Sequence, residues 1–442
     1  MQDNRVLKVV KFGGSSLADA AQFKKVASII KADSSRRYVI PSAPGKRFSG
    51  DDKVTDMLYE CYDCVMNEKD YTGVLDKIKA RYDLIISELS LEMSLDKEFD
   101  SIRSVLSNRV SRDFVASRGE YLNGLILSKY LGFHFIDAAD VIFFDKDGML
   151  DSEKTNSVMS ERLSRHEYAV IPGFYGSACD GSTKTFSRGG SDITGSIVAR
   201  AVEATIYENW TDVSGVKMVD PRIIDDPKTI NVITYSELRE LAYMGASVLH
   251  EDAIFPVRLS GIPINIKNTN KPEDEGTMIV LEANSADVRN EITGIAGRKG
   301  FSVINICKDM MNSEVGFGRK VLSVLEKYRI SFEHIPSGID SMGVIVSTEA
   351  LSKARERVIN ELSCEIVPDY ISVEDDIALV AVVGRGMVES VGIAARVFKA
   401  IGESGVNVRM IDQGSTENNI IIGINVADFE KTIKAIYYEF VG

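Results

Sequence analysis

The hydrophobic positions near the start of the chain form short apolar runs separated by a helical repeat. Residues 6–11 form a run rich in Val and Leu, which predicts a buried strand. Over residues 17–30 the apolar positions follow the spacing of an amphipathic helix, and residues 38–40 return as a strand. A strand, a helix and a second strand in this order predict an α/β fold with a parallel sheet wound by helices.

The same wound pattern extends to about residue 285. Residues 51–131 are charged and rich in helical periodicity, whereas four later apolar runs predict further strands. These runs are residues 141–144, 169–171, 204–208 and 262–266. We therefore predict that residues 1–285 form one domain.

A polar stretch over residues 281–290 separates this domain from a tail with a different pattern. The tail reads as strand, helix, two strands, helix and a last strand at residues 364–367, and a similar order recurs over residues 377–440. We predict two ferredoxin-like βαββαβ units, at residues 286–370 and 371–442. Because residues 292–300 are left over and the second unit ends on its helix, we expect one unit to borrow a strand from the flank of the other.

Composition narrows the classes of function. The 442 residues carry a formal net charge of −13, which argues against a nucleic-acid groove or an anionic-membrane surface as the main function. No apolar run approaches the roughly 20 residues of a membrane span, and the N-terminus lacks the apolar core of a signal peptide, so we expect a cytoplasmic protein. Five cysteines make no disulfide framework, and Cys61 and Cys64 have no nearby partners for a zinc site. We predict no resident metal.

Two glycine-rich turns carry the strongest chemical signal. Lys11 ends the first predicted strand and residues 12–16 read Phe-Gly-Gly-Ser-Ser, which suits a phosphate at a helix N-terminus. An ordinary tight turn capped by Ser explains the same residues equally well. The second turn, residues 186–192, places Arg188 before Gly-Gly-Ser and another helix start, and its guanidinium suits a carboxylate or a phosphate. The chain has no G-x-x-x-x-G-K-[ST] motif, which excludes a P-loop enzyme.

Two further positions stay open on local sequence alone. Glu120 lies on a predicted helix whose small, polar face also holds Ser117 and Gly124, and such a face meets either water or a substrate ammonium. Residues 210–222 follow a predicted strand and are rich in turn formers. This loop would lie at the carboxyl edge of the sheet, where open α/β folds bind ligands, although a plain connection also explains it.

Eight motifs, taken in order, resemble the aspartokinase family. Any one of them is weak, but their order and the two tail units cover nearly the whole chain. The resemblance implies an amino-acid-kinase fold, which is an αβα sandwich of the carbamate-kinase type, followed by two regulatory ACT domains. The motifs are residues 11–16, 42–45, 54–56, 118–120, 173–176, 188–192, 211–222 and 245–250.

The resemblance implies a monofunctional aspartate kinase. ATP and L-aspartate would give ADP and 4-phospho-L-aspartate, the first step of lysine, threonine and methionine biosynthesis, with Mg²⁺ held mainly by the phosphates. A homodimer or higher homo-oligomer is expected. A kinase for glutamate or acetylglutamate is one alternative, against which residues 188–192 and the paired ACT units argue. A non-catalytic amino-acid sensor is another, against which the retention of Lys11, Glu120 and Arg188 argues.

The resemblance also assigns roles to residues. Lys11 and Arg188 would be the catalytic cations, and Gly13 and Gly14 would cradle the transferring phosphoryl group. Aspartate would be held by Ser42, Thr55, Glu120, Arg188 and Ser191. The nucleotide site would contain Lys11, Gly14, Ser15, Thr211, Asp212, Lys217 and Arg222. The family usually carries Tyr where Lys217 stands and Lys where Ser247 stands, so a cation has changed loops here.

Feedback inhibition by an end-product amino acid is the last implication. By resemblance to lysine-sensitive aspartokinases, lysine is expected first and threonine second, both at the first ACT unit. The loop at residues 310–317 would offer backbone N–H groups to the effector carboxylate, and a facing strand would offer Glu333 to an ε-ammonium. A solvated Glu333 is the alternative. The effector residues would be Met310, Ser313, Gly316, Phe317, Ser331, Phe332 and Glu333.

Overall fold

A computed structural model gives the fold. It describes residues 6–108, 111–187, 189–246, 256–283, 291–414 and 416–442. The described chain divides into two compact units, of which the first holds residues 6–216, 229–235 and 256–283. The second holds residues 217–228, 236–246 and those from 291 onward. Two segments from within the first 285 residues therefore pack with the tail.

The first unit is built on an eight-stranded sheet. The strands of this unit, including two outside the large sheet, are β1 (Lys8–Phe12), β2 (Arg36–Pro41), β3 (His134–Phe135), β4 (Ala169–Val170), β5 (Tyr175–Ser177), β6 (Thr183–Thr185), β7 (Ile206–Thr211), β8 (Val232–Thr234), β9 (Ile264–Asn268) and β10 (Thr277–Val280). The sheet order is β3-β4-β2-β1-β7-β9-β10-β8, while β5 and β6 form a separate hairpin. Among the described residues, only β9 and β10 pair antiparallel within the large sheet, so the predicted parallel sheet is confirmed at its centre.

Helices pack on this sheet. They are α1 (Ala20–Lys31), α2 (Val54–Met66), α3 (Thr72–Glu88), α4 (Asp96–Ser107), α5 (Arg112–Leu131), α6 (Ser152–Leu163) and α7 (Gly190–Ala201). The first five share one apolar core with β1 and β2, centred on fully buried side chains such as Phe12, Leu58 and Tyr82. Helix α7 instead contacts β1, β2 and β7, and also α6.

The second unit is built on a six-stranded antiparallel sheet. Its strands are β11 (Gly294–Cys307), β12 (Phe332–His334), β13 (Ser341–Ser347), β14 (Tyr370–Val383), β15 (Val408–Asp412) and β16 (Asn419–Asn425). Its helices are α8 (Tyr235–Tyr243), α9 (Phe317–Lys327), α10 (Thr348–Ser352), α11 (Arg355–Ile366), α12 (Gly386–Glu389), α13 (Ile393–Glu403) and α14 (Phe429–Val441). The sheet order is β12-β13-β11-β14-β16-β15.

Two long strands join the two ferredoxin-like units. The second half of β11 pairs with β13, whereas residues 294–299 of its first half pair with residues 378–383 of β14. That half of β14 also pairs with β16. The expected borrowed strand is therefore present, because residues 294–299, which precede Gly300, complete the sheet of the second ferredoxin-like unit.

Two predicted strands are wrong. Residues 364–367 were expected to end the first ferredoxin-like unit, but α11 continues to Ile366 because Leu362 and Ile366 fill its core. The first half of β14 supplies the missing strand instead. Residues 141–144 form only isolated bridges at Phe143 and Phe144.

No helix in the described ranges is both long enough and apolar enough to cross a membrane. Helix α5 shows why length alone does not decide the matter. It has 20 residues, but it buries Arg118, Glu120 and Asn123.

Candidate active site

The predicted phosphate turn lies where β1 and β2 end side by side. The Gly45 N–H donates to the carbonyl of Gly14 over 2.7 Å, which joins the loops after the two strands. A Cβ on Gly14 would lie 2.8 Å from the Ala43 carbonyl, and one on Gly45 would lie 2.6 Å from Gly14 itself. Only glycine fits at both positions, because any side chain would push the two loops apart.

The sequence predicted that the turn leads directly into α1, but it does not. Residues Gly14–Leu17 form a short 3₁₀ helix, and α1 begins at Ala20 with the Asp19 carboxylate already accepting from Gln22 N–H. The Gly13 N–H donates to the Trp210 carbonyl. A phosphate at this turn would therefore meet the N–H groups of Gly14 and Ser15 and the Lys11 ammonium, not the dipole of α1.

The Lys11 side chain is buried and fixed by two partners. Its Nζ lies 2.6 Å from Asp192 Oδ1 and 3.4 Å from Asn209 Oδ1. Asn209 in turn donates from Nδ2 to Asp192 Oδ1 over 2.8 Å. The ammonium is thus held between β1, β7 and the first turn of α7. No motif in the sequence indicates a role for Asn209, which is 198 positions from Lys11.

Glu120 faces the other side of the same loop. It is 5% exposed, accepts a hydrogen bond from the Ala43 N–H, and leaves its Oε2 buried without a hydrogen bond. Burial raises the pKa of this carboxyl to about 8, which backbone hydrogen bonds only partly oppose. Ala43 therefore lies between the glycine turn and a buried carboxyl group whose Oε2 has no hydrogen-bond partner. The polar face of α5 is buried, since Ser117 is also fully buried, and the solvated alternative is wrong.

We expect Glu120 to make stability depend on pH. Below about pH 4.5 both states of the protein hold its proton, whereas between about 4.5 and 8 only the folded state does. The unfolded state then binds fewer protons, so stability falls as pH rises through this window. Glu120→Gln should raise the melting temperature by several degrees more at pH 8 than at pH 5, which scanning calorimetry would measure. An equal shift at both pH values would contradict this.

A buried arginine holds the loops of the site together. Arg81 on α3 is 5% exposed and donates to the carbonyls of Asp52, Ala18 and Gly45. Asn123 on α5 also binds one of these loops, because its Nδ2 donates to the Ser42 carbonyl over 2.6 Å. Neither residue could be predicted from the sequence, because a side chain that binds distant carbonyls leaves no local motif.

The other predicted aspartate contacts lie around these loops. Ser42 follows β2, and Thr55 is the second residue of α2. Ser191 is buried in the first turn of α7, where a Cβ on Gly173 would lie 2.7 Å from it. Phe174, which follows Gly173 in this loop, adopts a left-handed backbone with φ of 80°, which is strained for a residue that bears a side chain. Arg188 and Ser247 lie outside the described residues.

The predicted nucleotide residues divide between the two units. Thr211 and Asp212 follow β7 in the first unit, where the Thr211 hydroxyl donates to Asp212 Oδ1 over 3.2 Å. Lys217 and Arg222 belong to the second unit. The Lys217 Nζ lies 3.3 Å from Asp226 Oδ1. Arg222 forms an ion pair with Asp220, and the Arg222 side chain is 88% exposed.

The predicted effector residues form two separate groups. Met310, Ser313, Gly316 and Phe317 follow Cys307, which pairs with Ser341 at one end of β13. Ser331, Phe332 and Glu333 lie near Val346, toward its other end. Five residues of β13 separate the two groups, which corresponds to roughly 16 Å. The expectation that the strand at Glu333 faces the loop at residues 310–317 therefore does not hold within one chain. The Glu333 carboxylate instead accepts a short hydrogen bond from the Tyr243 hydroxyl.

The fold and this arrangement define a phosphotransferase of the amino acid kinase class. Residues 7–268 match the model of the Amino acid kinase family, and residues 380–440 match that of an ACT domain. Aspartokinase 3 of Bacillus subtilis strain 168 is 40% identical over 449 residues, covering 98% of each chain. The chain belongs to the aspartokinase family.

Two further relatives span the chain. The crystal structure of Clostridium acetobutylicum aspartate kinase superposes with a TM-score of 0.89 at 52% identity, covering 99% of both chains. Lysine-sensitive aspartokinase 3 of Escherichia coli strain K12 is 25% identical over 460 residues, covering 97% of this chain and 98% of that protein.

Proposed function

We propose that the protein transfers the γ-phosphoryl group of ATP to the side-chain carboxylate of L-aspartate. An oxygen of that carboxylate attacks the γ-phosphorus, the bond to the oxygen bridging to the β-phosphate breaks, and ADP leaves with its electron pair. The products are ADP and 4-phospho-L-aspartate. The observation that carries the proposal is the Lys11 ammonium, fixed by Asp192 and Asn209 beside a glycine turn.

The chemistry needs cations and positioning more than a base. A free aspartate side chain has a pKa of about 3.9 and is already ionised at neutral pH. The obstacle is an anion that attacks a polyanion, which Lys11 and the Mg²⁺ that enters with ATP would relieve. Glu120 would bind the substrate ammonium, and Arg188 would bind its α-carboxylate. Thr55, Ser42 and Ser191 would complete the aspartate site, while Thr211, Asp212, Lys217 and Arg222 would serve the nucleotide.

The acceptor can be tested by trapping the acyl phosphate. Hydroxylamine converts an acyl phosphate to a hydroxamate, so the purified protein with Mg-ATP should give hydroxamate with L-aspartate. Parallel reactions with L-glutamate and acetylglutamate should give background. Product with acetylglutamate alone would replace the proposal with another amino-acid kinase. No product with any of the three would favour a non-catalytic sensor.

We also propose that lysine inhibits the enzyme through the first ACT unit, with threonine as the second candidate. The Escherichia coli relative is named as lysine-sensitive, and the Glu333 carboxylate could accept a hydrogen bond from the ε-ammonium of lysine. Because the loop at residues 310–317 and the strand at Glu333 lie near opposite ends of β13, one effector would contact both only across a homodimer. Inhibition by lysine would fit an enzyme that catalyses the first step in the synthesis of amino acids derived from aspartate.

Glu333→Ala should weaken inhibition by lysine. The variant removes the proposed partner of the ε-ammonium, and a hydrogen bond to a charged group contributes about 1.5–3 kcal/mol, so the inhibitory concentration should rise at least about 10-fold. The measurement is a lysine and threonine titration of both proteins, with sedimentation to determine the oligomer. Wild-type activity that ignores lysine, or a variant that stays equally sensitive, would refute the site. An active monomer would refute the shared version of it.

A further inference from the structure

Helix α8 belongs by sequence to the kinase portion but packs within the regulatory unit. It directly follows β8, a strand of the eight-stranded sheet, yet residues 236–246 cluster with the tail. The contacts that hold α8 in the regulatory unit therefore act on a helix that is joined directly, through the chain, to a strand of the catalytic sheet.

The start of α8 is anchored firmly. Glu237 is 1% exposed and accepts from Arg385 Nη1 at 2.6 Å, from the Arg385 N–H at 3.0 Å and from Thr293 Oγ1 at 2.6 Å. One turn later, Asn419 Nδ2 donates to Glu240 Oε2 over 2.7 Å. Buried, charge-assisted contacts of this kind are costly to break, so this end of the helix is the fixed one.

The end of α8 is held more lightly. Tyr243, its last residue, is 53% exposed. Its hydroxyl donates to Glu333 on β12, and Arg298 reaches its carbonyl over 3.4 Å and stacks near its ring. Burial and the hydrogen bond to Glu333 raise the pKa of Tyr243 to about 12, so at neutral pH the hydroxyl is protonated and acts as a donor.

The same carboxylate is the proposed partner of the effector ammonium. An ammonium makes a stronger hydrogen bond to a carboxylate than a neutral phenol does, so it can displace the Tyr243 hydroxyl. The exposure of Tyr243 lets the displaced ring move into solvent without opening the core.

We propose that Tyr243 is an internal competitor for the effector cation, and that its displacement from Glu333 releases the last turn of α8 and carries inhibition toward the catalytic sheet. This inference rests on the proposed lysine site. The Tyr243–Glu333 bond belongs to the active arrangement and must be broken for lysine to bind. By linkage, a change that removes the bond but keeps the Glu333 carboxylate strengthens lysine binding and weakens the active arrangement.

The test is Tyr243→Phe, which keeps the ring and removes only the hydroxyl. Calorimetric titration with L-lysine should give a dissociation constant about 3- to 10-fold lower than that of the wild type, in line with the loss of one competing hydrogen bond. Activity without lysine should fall toward the inhibited level, so that the range left for lysine to inhibit shrinks. Tyr438→Phe, which removes an exposed hydroxyl elsewhere in the same unit, is the matched control and should change neither quantity.

A second variant keeps the inference testable independently of folding. Glu333→Ala removes the acceptor of the Tyr243 hydroxyl, so in that background Tyr243→Phe has no bond left to break and should no longer tighten lysine binding. A wild type that binds lysine and a Tyr243→Phe variant with the same dissociation constant and inhibition would overturn this inference while the lysine site stands. A wild type that does not bind lysine, or binds threonine alone, would overturn both.

Discussion

Replacing Lys11 with alanine should lower kcat by about 100- to 1000-fold while the KM for aspartate stays nearly unchanged. The range is typical for loss of one preorganised donor to charge that develops in the transition state. Steady-state kinetics with Mg-ATP and aspartate varied separately would measure it. The variant should still fold, because Asp192 keeps its hydrogen bond from Asn209 and is 18% exposed, so its carboxylate is not stranded in the core.

Two comparisons make this result specific. Lys24→Ala removes an exposed lysine on α1 and should leave both constants unchanged. Arg188→Ala should chiefly raise the KM for aspartate, because we assign it to the substrate and not to the phosphoryl group. Near-normal turnover by Lys11→Ala would refute the phosphate site, and a kcat effect from Arg188→Ala equal to that of Lys11→Ala would refute the division of roles.

Glu120→Gln should raise the KM for aspartate by about 30-fold or more without changing the KM for ATP. The amide keeps the shape and the hydrogen bond from Ala43 but cannot pair with the substrate ammonium, and loss of one partner from a buried charge pair costs at least about 2 kcal/mol. The same substitution should stabilise the free protein, since a buried carboxyl with an unpaired oxygen is unfavourable without its ligand.

The matched control for this prediction is Glu98→Gln. Glu98 on α4 also has a buried carboxylate oxygen without a hydrogen bond, but no site role is assigned to it. Its replacement should leave the KM for aspartate unchanged. If Glu120→Gln binds aspartate as the wild type does, Glu120 is a structural carboxylic acid and the substrate site must lie elsewhere.

The sequence by itself determined the order of elements, because hydrophobic period is a local property. The runs at residues 6–11 and 38–40 became β1 and β2, and the left-over residues 292–300 became the borrowed half of β11. The glycine turn after Lys11 could also be predicted, since only glycine permits the approach of Gly14 to Gly45. The error at residues 364–367 has a local cause, because a short apolar run fits either a strand or the last turn of a buried helix.

Only the tertiary structure decided which distant groups meet. Asn209, Arg81 and Asn123 hold the site through partners many residues away, and no spacing in the chain encodes such pairs. Packing likewise decided that the polar face of α5 is buried, which gives the Glu120 carboxyl its raised pKa. Strand register decided that the two effector groups lie near opposite ends of β13, and the packing of α8 decided that Glu333 already has a partner in Tyr243. Periodicity states which face of an element is apolar, but the element that covers it is set by the whole core.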